Sequence, residues 1–267
     1  MRRWTGFLLL IAVLVVSVMA SVAIGTRYLP LAEVVDALLP YRDPASMSAD
    51  AVGIVRELRI PRTALGLIVG LAIGAAGALA QGHTRNPLAD PGMLGVNAGA
   101  ACAVVIGVYV LGIQGPVAFM LCGLIGALIA SAAVFGLASL SGAGPLTLIL
   151  AGTGLSALLL AITSGIVLSD SVTLDAWRFW NVGSTAGRGM DVFWAGLPFI
   201  AVGLLLALGS GFFLNVLGLG DDMTKSLGSR VMVIRAVGIG AITLLIGAAT
   251  AACGPITFLG LVVPHLA

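Results

Sequence analysis

Long apolar runs constrain the fold of this 267-residue chain more than any other feature of its sequence. A helix of about 20 apolar residues crosses the roughly 30 Å hydrocarbon layer of a bilayer and satisfies its own backbone hydrogen bonds. Apolar residues make up 60% of the chain and charged residues only 9%, too few to cover a soluble protein. We therefore predict an all-α, polytopic transmembrane helical bundle in a single domain, residues 1–267. The complete candidate spans are 7–24, 63–81, 94–113, 116–137, 146–168, 194–213 and 231–252.

The two ends of the chain leave alternatives open. An eighth apolar run begins near Gly254 and stops at Ala267, and a helix of that length rises only about 21 Å. We expect a C-terminally incomplete domain, with a packed half-helix as the alternative. At the other end, Arg2 and Arg3 precede the first run, and residues 18–20 resemble a weak signal-peptide cleavage site. A retained first span is the favoured interpretation.

The polar segment 214–230 separates two long apolar runs in a chain where charge is scarce. Leu219, Met223 and Leu227 form one apolar stripe at helical spacing. Acidic residues near a helix start and a glycine near its end favour a short capped helix. Since nothing in the segment is suited to hold a nucleotide or a metal, we expect it to bind a protein partner. An amphipathic connector resting on the bilayer is the alternative.

The loop 25–62 carries a second polar surface. Apolar residues at 31, 34, 35, 38 and 39 predict a short helix at the membrane surface. Arg56, Arg59 and Arg62 follow and lead into the second span, where Pro61 is typical of a helix start. Arginines at such a boundary either extend to lipid headgroups or pair with carboxylates of a partner. Composition alone favours the lipid interpretation.

The connecting segments and the glycines are interpreted as packing devices. The linker 81–95 contains Arg85, Asn86, Pro87 and Pro91, which predict a rigid structural turn. The linker 169–193 holds Trp177 and Trp180, which are typical of an interfacial aromatic belt. Small residues let transmembrane helices approach closely, and the sequence offers such ridges at Gly66, Gly70, Gly74 and Gly77, at Gly123 and Gly126, and at Gly238 and Gly240.

Catalytic and cofactor chemistry finds no support in the sequence. The chain lacks the GxxxxGK[ST] phosphate loop, and its two histidines, His83 and His265, are far apart and lack nearby Cys, Asp or Glu clusters. Cys102 and Cys122 lie inside candidate spans and Cys253 directly follows one, and the three lack metal-ligand spacing. We predict no enzyme activity, no cofactor, no metal site and no nucleic-acid partner.

Several strings, in order and spacing, resemble the permease subunits of the FecCD/BtuC family over essentially the whole chain. They are RIPR at 59–62, RNPLADP at 85–91, LAG at 150–152, WNVGS at 180–184, LGDD at 219–222 and GPITFLGLVVPH at 254–265. Such permeases belong to ATP-binding-cassette importers of iron–siderophore complexes, haem and cobalamin. The resemblance implies ten spans, of which the last two, and a third docking arginine, have no counterpart in this chain.

The resemblance also implies partners and site residues. A periplasmic or lipoprotein substrate-binding protein would dock on Arg59 and Arg62, with Arg56 beside them. A cytoplasmic ATPase subunit would bind the coupling residues. A second permease subunit, identical or different, would complete the pathway in the lipid membrane. The coupling residues are Leu219, Asp221, Asp222, Met223, Lys225, Leu227 and Gly228, and the cytoplasmic gate is Gly144, Pro145, Leu146 and Thr147.

The orientation implied by the resemblance conflicts with the charge distribution. Both termini would be cytoplasmic, in the inner membrane of a bacterium. With that orientation the inner segments carry five arginines and lysines and the outer segments seven, against the positive-inside rule. An outer docking surface gives the surplus arginines a use.

The function that follows is import of a ferric siderophore, with haem and cobalamin as alternatives. A secondary carrier or channel would need ionisable residues at membrane depth, and the complete spans contain only Arg235, which we expect to extend to the inner interface. A truncated, non-transporting remnant is the remaining alternative.

Overall fold

The computed structural model of the chain describes residues 2–39, 49–140, 145–218 and 231–266. The chain divides into two units, 1–67 with 185–193 and 68–184 with 194–267. The helices are α1 (Arg2–Ala23), α2 (Leu31–Leu38), α3 (Ala49–Gly53), α4 (Ile60–Thr84), α5 (Val96–Leu111), α6 (Pro116–Leu140), α7 (Pro145–Ser169), α8 (Ser171–Asn181), α9 (Met190–Gly218), α10 (Val231–Cys253) and α11 (Leu259–Leu266). A π-helical turn, Ile54–Arg59, joins α3 to α4, and a 3₁₀ turn, Pro91–Leu94, precedes α5.

The helical membrane bundle predicted from the sequence is confirmed. Within the described residues, six helices are long and apolar enough to cross a membrane: Trp4–Ala23, Asp50–Thr84, Pro116–Leu140, Leu146–Ser169, Met190–Gly211 and Met232–Cys253. They coincide with six of the seven predicted complete spans. Most of their exposed side chains are apolar, as a lipid-facing surface requires.

The third predicted span, 94–113, is shorter in the structure than the sequence suggested. Helix α5 has 16 residues, because glycines in left-handed conformations lie at both of its ends. Gly95 has φ 75° and Gly112 has φ 61°, and a residue with a Cβ adopts that conformation only at a cost. Apolarity alone did not reveal these stops.

The second span begins further upstream than Pro61 suggested. Its helix is continuous from α3 through the π-helical turn into α4, so that Pro61 lies one residue inside α4. A π-helical turn is rare and is frequently found at functional sites. Here it carries both Arg56 and Arg59.

Helix α8 lies in the linker 169–193, where the sequence analysis placed no helix. Its N-cap is Asp170, whose carboxylate accepts hydrogen bonds from the backbone N–H of Thr173 at 2.8 Å and from the Thr173 hydroxyl at 2.6 Å. Trp180, expected in an interfacial belt, is instead only 1% exposed. Its indole N–H donates to the carbonyl oxygen of Ala251 at 3.5 Å, so this ring is part of the protein core.

Close helix crossings hold the second unit together. Gly99 of α5 and Gly126 of α6 face each other so closely that a Cβ on Gly99 would lie 2.5 Å from the Gly126 carbonyl oxygen. Polar bonds link helices as well: the Thr250 hydroxyl of α10 donates to the Asn97 side-chain oxygen of α5 at 2.8 Å. The predicted glycine pair at 123 and 126 therefore acts in packing, as small residues do in membrane bundles.

Candidate functional site

The arginine cluster Arg56, Arg59 and Arg62 belongs to the first unit and bonds to the ends of its preceding helices. Arg59 is 3% exposed, so its guanidinium is buried. One terminal nitrogen, Nη1, donates to the carbonyl oxygens of Val22 at 2.9 Å and Ala23 at 2.6 Å. The other, Nη2, donates to the carbonyl of Arg27 at 2.7 Å. A single guanidinium thus ties the end of α1 to the loop that follows it.

Arg62 completes the same helix end. Its Nη2 donates to the carbonyl oxygens of Ser21 at 2.6 Å and Ile24 at 3.2 Å. The backbone N–H of Ile24 reaches the carbonyl of Ala20 at 2.8 Å. The last four carbonyls of a helix lack partners within the helix, and here every one of the four in α1 has a donor. Two cations at a helix C-terminus also oppose its negative dipole end.

Arg56 binds carbonyls at the end of α2. Its Nε donates to the carbonyl oxygen of Ala37 at 2.8 Å, and its Nη2 to that of Leu39 at 3.3 Å. Unlike Arg59, the Arg56 side chain is exposed. A guanidinium has five N–H donors, so Arg56 keeps donors that face outward.

An apolar cluster supports these contacts. Leu29, Val34, Ala37, Ala51 and Val55 are buried against one another in the first unit. Val55 and Arg59 are the buried residues of the π-helical turn. The short helix predicted here is present as α2, and its position at the membrane surface stays a prediction. Val34 and Ala37 are buried, whereas Leu31, Val35, Leu38 and Leu39 are exposed.

The exposed border of the cluster contains a further ion pair. Arg27 Nη1 lies 3.2 Å from Asp50 Oδ2, and both side chains are more than half exposed. Such a pair contributes little to stability because water screens it. Arg27 nevertheless adds another exposed guanidinium to the unit that holds the predicted docking arginines.

The structure therefore brings the three arginines together, but not in the way either sequence interpretation described. Arg59 is enclosed by protein rather than by lipid headgroups, and its donors already bind carbonyls of this chain. Arg56 is exposed and Arg62 half-buried. Docking of a binding protein on these residues stays a prediction. The capping bonds were not visible in the sequence, because they depend on which helix ends meet.

The predicted coupling residues lie outside the described residues: Leu219, Asp221, Asp222, Met223, Lys225, Leu227 and Gly228. Gly144 of the predicted gate lies outside them too, and Pro145 begins α7. Leu146 is exposed and Thr147 half-buried. Coupling and gating stay predictions.

The predicted structural turn is built by local hydrogen bonds. Arg85 has φ 51°, and the Asn86 side-chain oxygen accepts from the backbone N–H of Leu88 at 2.9 Å. Pro91 is buried at the start of the 3₁₀ turn, and the Asp90 carboxylate accepts from the N–H of Gly92 at 2.7 Å. The turn lies against Gly152 of α7, whose missing Cβ leaves room for the Met93 carbonyl.

A small, mainly apolar cavity in the second unit was missed by the sequence analysis. It has a volume of about 40 Å³, and its polar lining residues are His83, Thr84, Asp90 and Arg235. Arg235 is only 7% exposed, so the expectation that it extends to the interface was wrong. The His83 ring lies against Gly238, where a Cβ would overlap it. Gly238 was the available signal, since a close approach needs a glycine there.

Comparison with known proteins decides the family. The model of the FecCD transport family matches residues 13–267. The chain belongs to this family. It is 42% identical over 260 residues to the ferric enterobactin transport system permease protein FepD of Escherichia coli (strain K12), covering 97% of this chain and 76% of FepD.

Two further likenesses agree with that membership. The iron(3+)-hydroxamate import system permease protein FhuB of Bacillus subtilis (strain 168) is 34% identical over 274 residues, covering 99% of this chain and 69% of FhuB. A solved metal-chelate type ABC transporter, in an inward-facing conformation, superposes with a TM-score of 0.81 at 26% identity, covering 96% of this chain and 78% of the other. This FecCD-family chain is thus a multi-pass inner-membrane transport permease rather than a catalytic enzyme.

Proposed function

We propose that this permease carries a ferric siderophore inward across the bacterial inner membrane as part of an ATP-driven importer. The observation that carries the proposal is the 42% identity to a ferric enterobactin permease over 97% of this chain. The relative that imports iron(3+)-hydroxamate covers 99% of the chain. Both relatives are named for iron carried on a chelator, which favours that substrate class over haem and cobalamin.

The energy source in this proposal is a separate ATPase subunit. The described spans hold few groups that a secondary carrier could use for ion coupling, since their buried charged side chains are Arg59 and Arg235. The Arg59 guanidinium already donates hydrogen bonds to backbone carbonyls. Ion coupling needs ionisable groups that change partners at membrane depth. The segment 219–230, between α9 and α10, is proposed to receive the motion of the ATPase.

The substrate-binding protein is proposed to dock on the first unit. Exposed Arg56 retains outward donors, and Arg62 and Arg27 lie on the same unit. Guanidinium groups form paired hydrogen bonds with carboxylates, so the matching surface on the binding protein would be acidic. A second permease subunit, identical or different, would complete the pathway.

Uptake into proteoliposomes tests the proposal. The permease is reconstituted with its ATPase and binding protein, and radiolabelled iron is supplied as a ferric catecholate or a ferric hydroxamate. We expect uptake that needs both ATP and the binding protein. Uptake without the ATPase would favour a secondary carrier. Uptake of cobalamin or haem but of neither ferric chelate would overturn the substrate, and no uptake of any of them would favour a non-transporting remnant.

A further inference from the structure

The arginines of the proposed docking surface are unequal in exposure. Arg56 is exposed, whereas Arg59, three residues later, is 3% exposed. A partner's carboxylate can reach an exposed guanidinium, but the Arg59 guanidinium would first have to leave its three carbonyl partners. Removing a partner from buried polar groups costs their full desolvation penalty. Arg59 is therefore poorly placed to bind a carboxylate itself.

The loop after α1 is shaped around Arg59. A Cβ on Gly25 would lie 2.9 Å from both Nε and Nη2 of Arg59. That separation is shorter than an ordinary van der Waals contact, so a Cβ at position 25 would require the Arg59 guanidinium to shift. The loop also carries Arg27, whose carbonyl binds Arg59 and whose side chain pairs with Asp50. Arg59 thus sets the position of another exposed cation.

The π-helical turn separates the two roles along one short segment. Val55 and Arg59 are buried in the first unit, while Arg56 faces outward and caps α2. Since the turn is continuous with α4, a guanidinium fixed at its last residue holds Arg56 in a defined direction. Buried hydrogen-bonded charges of this kind fix geometry better than exposed ones.

We propose that Arg59 is a positioning residue of the docking surface: it anchors the end of α1 and the loop 24–30, so that exposed Arg56 and Arg27 meet the binding protein. This inference rests on the proposed docking function. In this inference, Arg56 and Arg27 make the salt-sensitive contact with the binding protein. Arg59 keeps the loop 24–30 ordered. Salt screens the interaction between an exposed charge and a partner. It has little effect on the buried hydrogen bonds of an anchor.

Four variants of the permease in nanodiscs separate these roles. Arg59→Lys keeps the charge, but a single ammonium cannot reproduce the guanidinium fork. Gly25→Ala keeps every charge and pushes the Arg59 guanidinium out of place. Arg56→Ala removes the proposed contact itself. Arg178→Ala is the matched control, since this exposed arginine pairs with Asp175 on α8. Two quantities are measured: hydrogen exchange of the amides of residues 24–30, and binding-protein affinity as a function of salt.

Arg59→Lys and Gly25→Ala are each expected to raise exchange in 24–30 and to weaken binding about tenfold, the scale of one lost buried hydrogen bond, with the salt dependence unchanged. Arg56→Ala is expected to weaken binding and flatten its salt dependence, with exchange in 24–30 unaltered. Arg178→Ala should match the parent protein in both measurements.

The opposite pattern overturns the inference. If Arg59→Lys binds like the parent and Gly25→Ala changes neither quantity, Arg59 contributes charge and not position. Raised exchange together with unchanged affinity would show that the anchor exists but that the loop takes no part in docking. Absence of binding by the parent protein would instead count against the proposed function, while the exchange result would still report on the anchor.

Discussion

Gly77 of α4 lies directly against the backbone of Gly260 in α11, closer than any side chain at position 77 would permit. Four residues further along α4, the Gln81 Nε2 donates to the carbonyl oxygen of Leu261 at 3.1 Å. The crossing therefore combines a bare backbone contact with a hydrogen bond. Close glycine contacts of this kind are a main source of helix association in membranes.

Replacing Gly77 is predicted to separate the two helices. In Gly77→Ala the new methyl group would overlap the Gly260 backbone, which cannot move as a flexible side chain can. Overpacking costs about 1–3 kcal/mol, so the thermal midpoint in detergent should fall. Gly70→Ala is the control on the same helix, because a Cβ there meets nothing within 4 Å. Equal midpoints for the two variants would contradict the crossing.

The pairing of His83 with Gly238 gives a second prediction. Gly238→Ala should destabilise the protein, since the methyl group would occupy the place of the imidazole. His83→Ala should relieve that overlap, so the double variant should be more stable than Gly238→Ala alone. Contacting residues show such non-additive effects. Gly240→Ala serves as the control on the same helix, with open space around its Cβ position. Strict additivity of the two changes would show that the ring lies elsewhere.

The N-cap of α8 predicts a local pH dependence. Hydrogen bonds from the Thr173 hydroxyl, and then from its backbone N–H, hold the pKa of Asp170 below its usual value. Because the folded-state pKa is the lower one, this cap stabilises α8 fully above the unfolded-state value of about 3.9. The stabilisation is lost as the pH falls through the folded-state pKa.

Hydrogen exchange of the α8 amides checks that prediction. Protection factors, in which the intrinsic pH dependence of exchange is divided out, should begin to fall below about pH 4 in the parent protein and decline further as the pH passes through the lowered pKa of Asp170. Asp170→Asn keeps an oxygen that caps the helix but cannot titrate, so its profile of protection factors should be flat over the same range. A parent profile as flat as that of Asp170→Asn would mean that the carboxylate does not hold the helix end.

Apolar patterning was enough to place the spanning helices, because lipid accepts few other arrangements of backbone. Apolar patterning predicted less well the features that depend on contacts between residues distant in the sequence. Of the predicted glycine ridge on α4, Gly74 and Gly77 meet α11, while Gly66 and Gly70 face open space. Spacing cannot show which face of a uniformly apolar helix finds a partner.

The arginines show the same limit at the candidate site. Their position before the second span was readable, and the resemblance gave them a docking role that stays a prediction. That Arg59 is buried follows only once the end of α1 lies beside the π-helical turn. Helix α8 was readable in principle, since Asp170 precedes it as an N-cap residue with Thr173 in reach.

We propose that an ATPase drives this permease through the segment between α9 and α10. The most direct measurement is disulfide cross-linking of Lys225→Cys to cysteines placed on the ATPase, followed through the ATP cycle in the assembled importer. We predict cross-links that form at the cytoplasmic face and change in yield when ATP binds. Labelling of the same thiol by a membrane-impermeant reagent from outside intact cells, with no cross-link to the ATPase, would contradict the account.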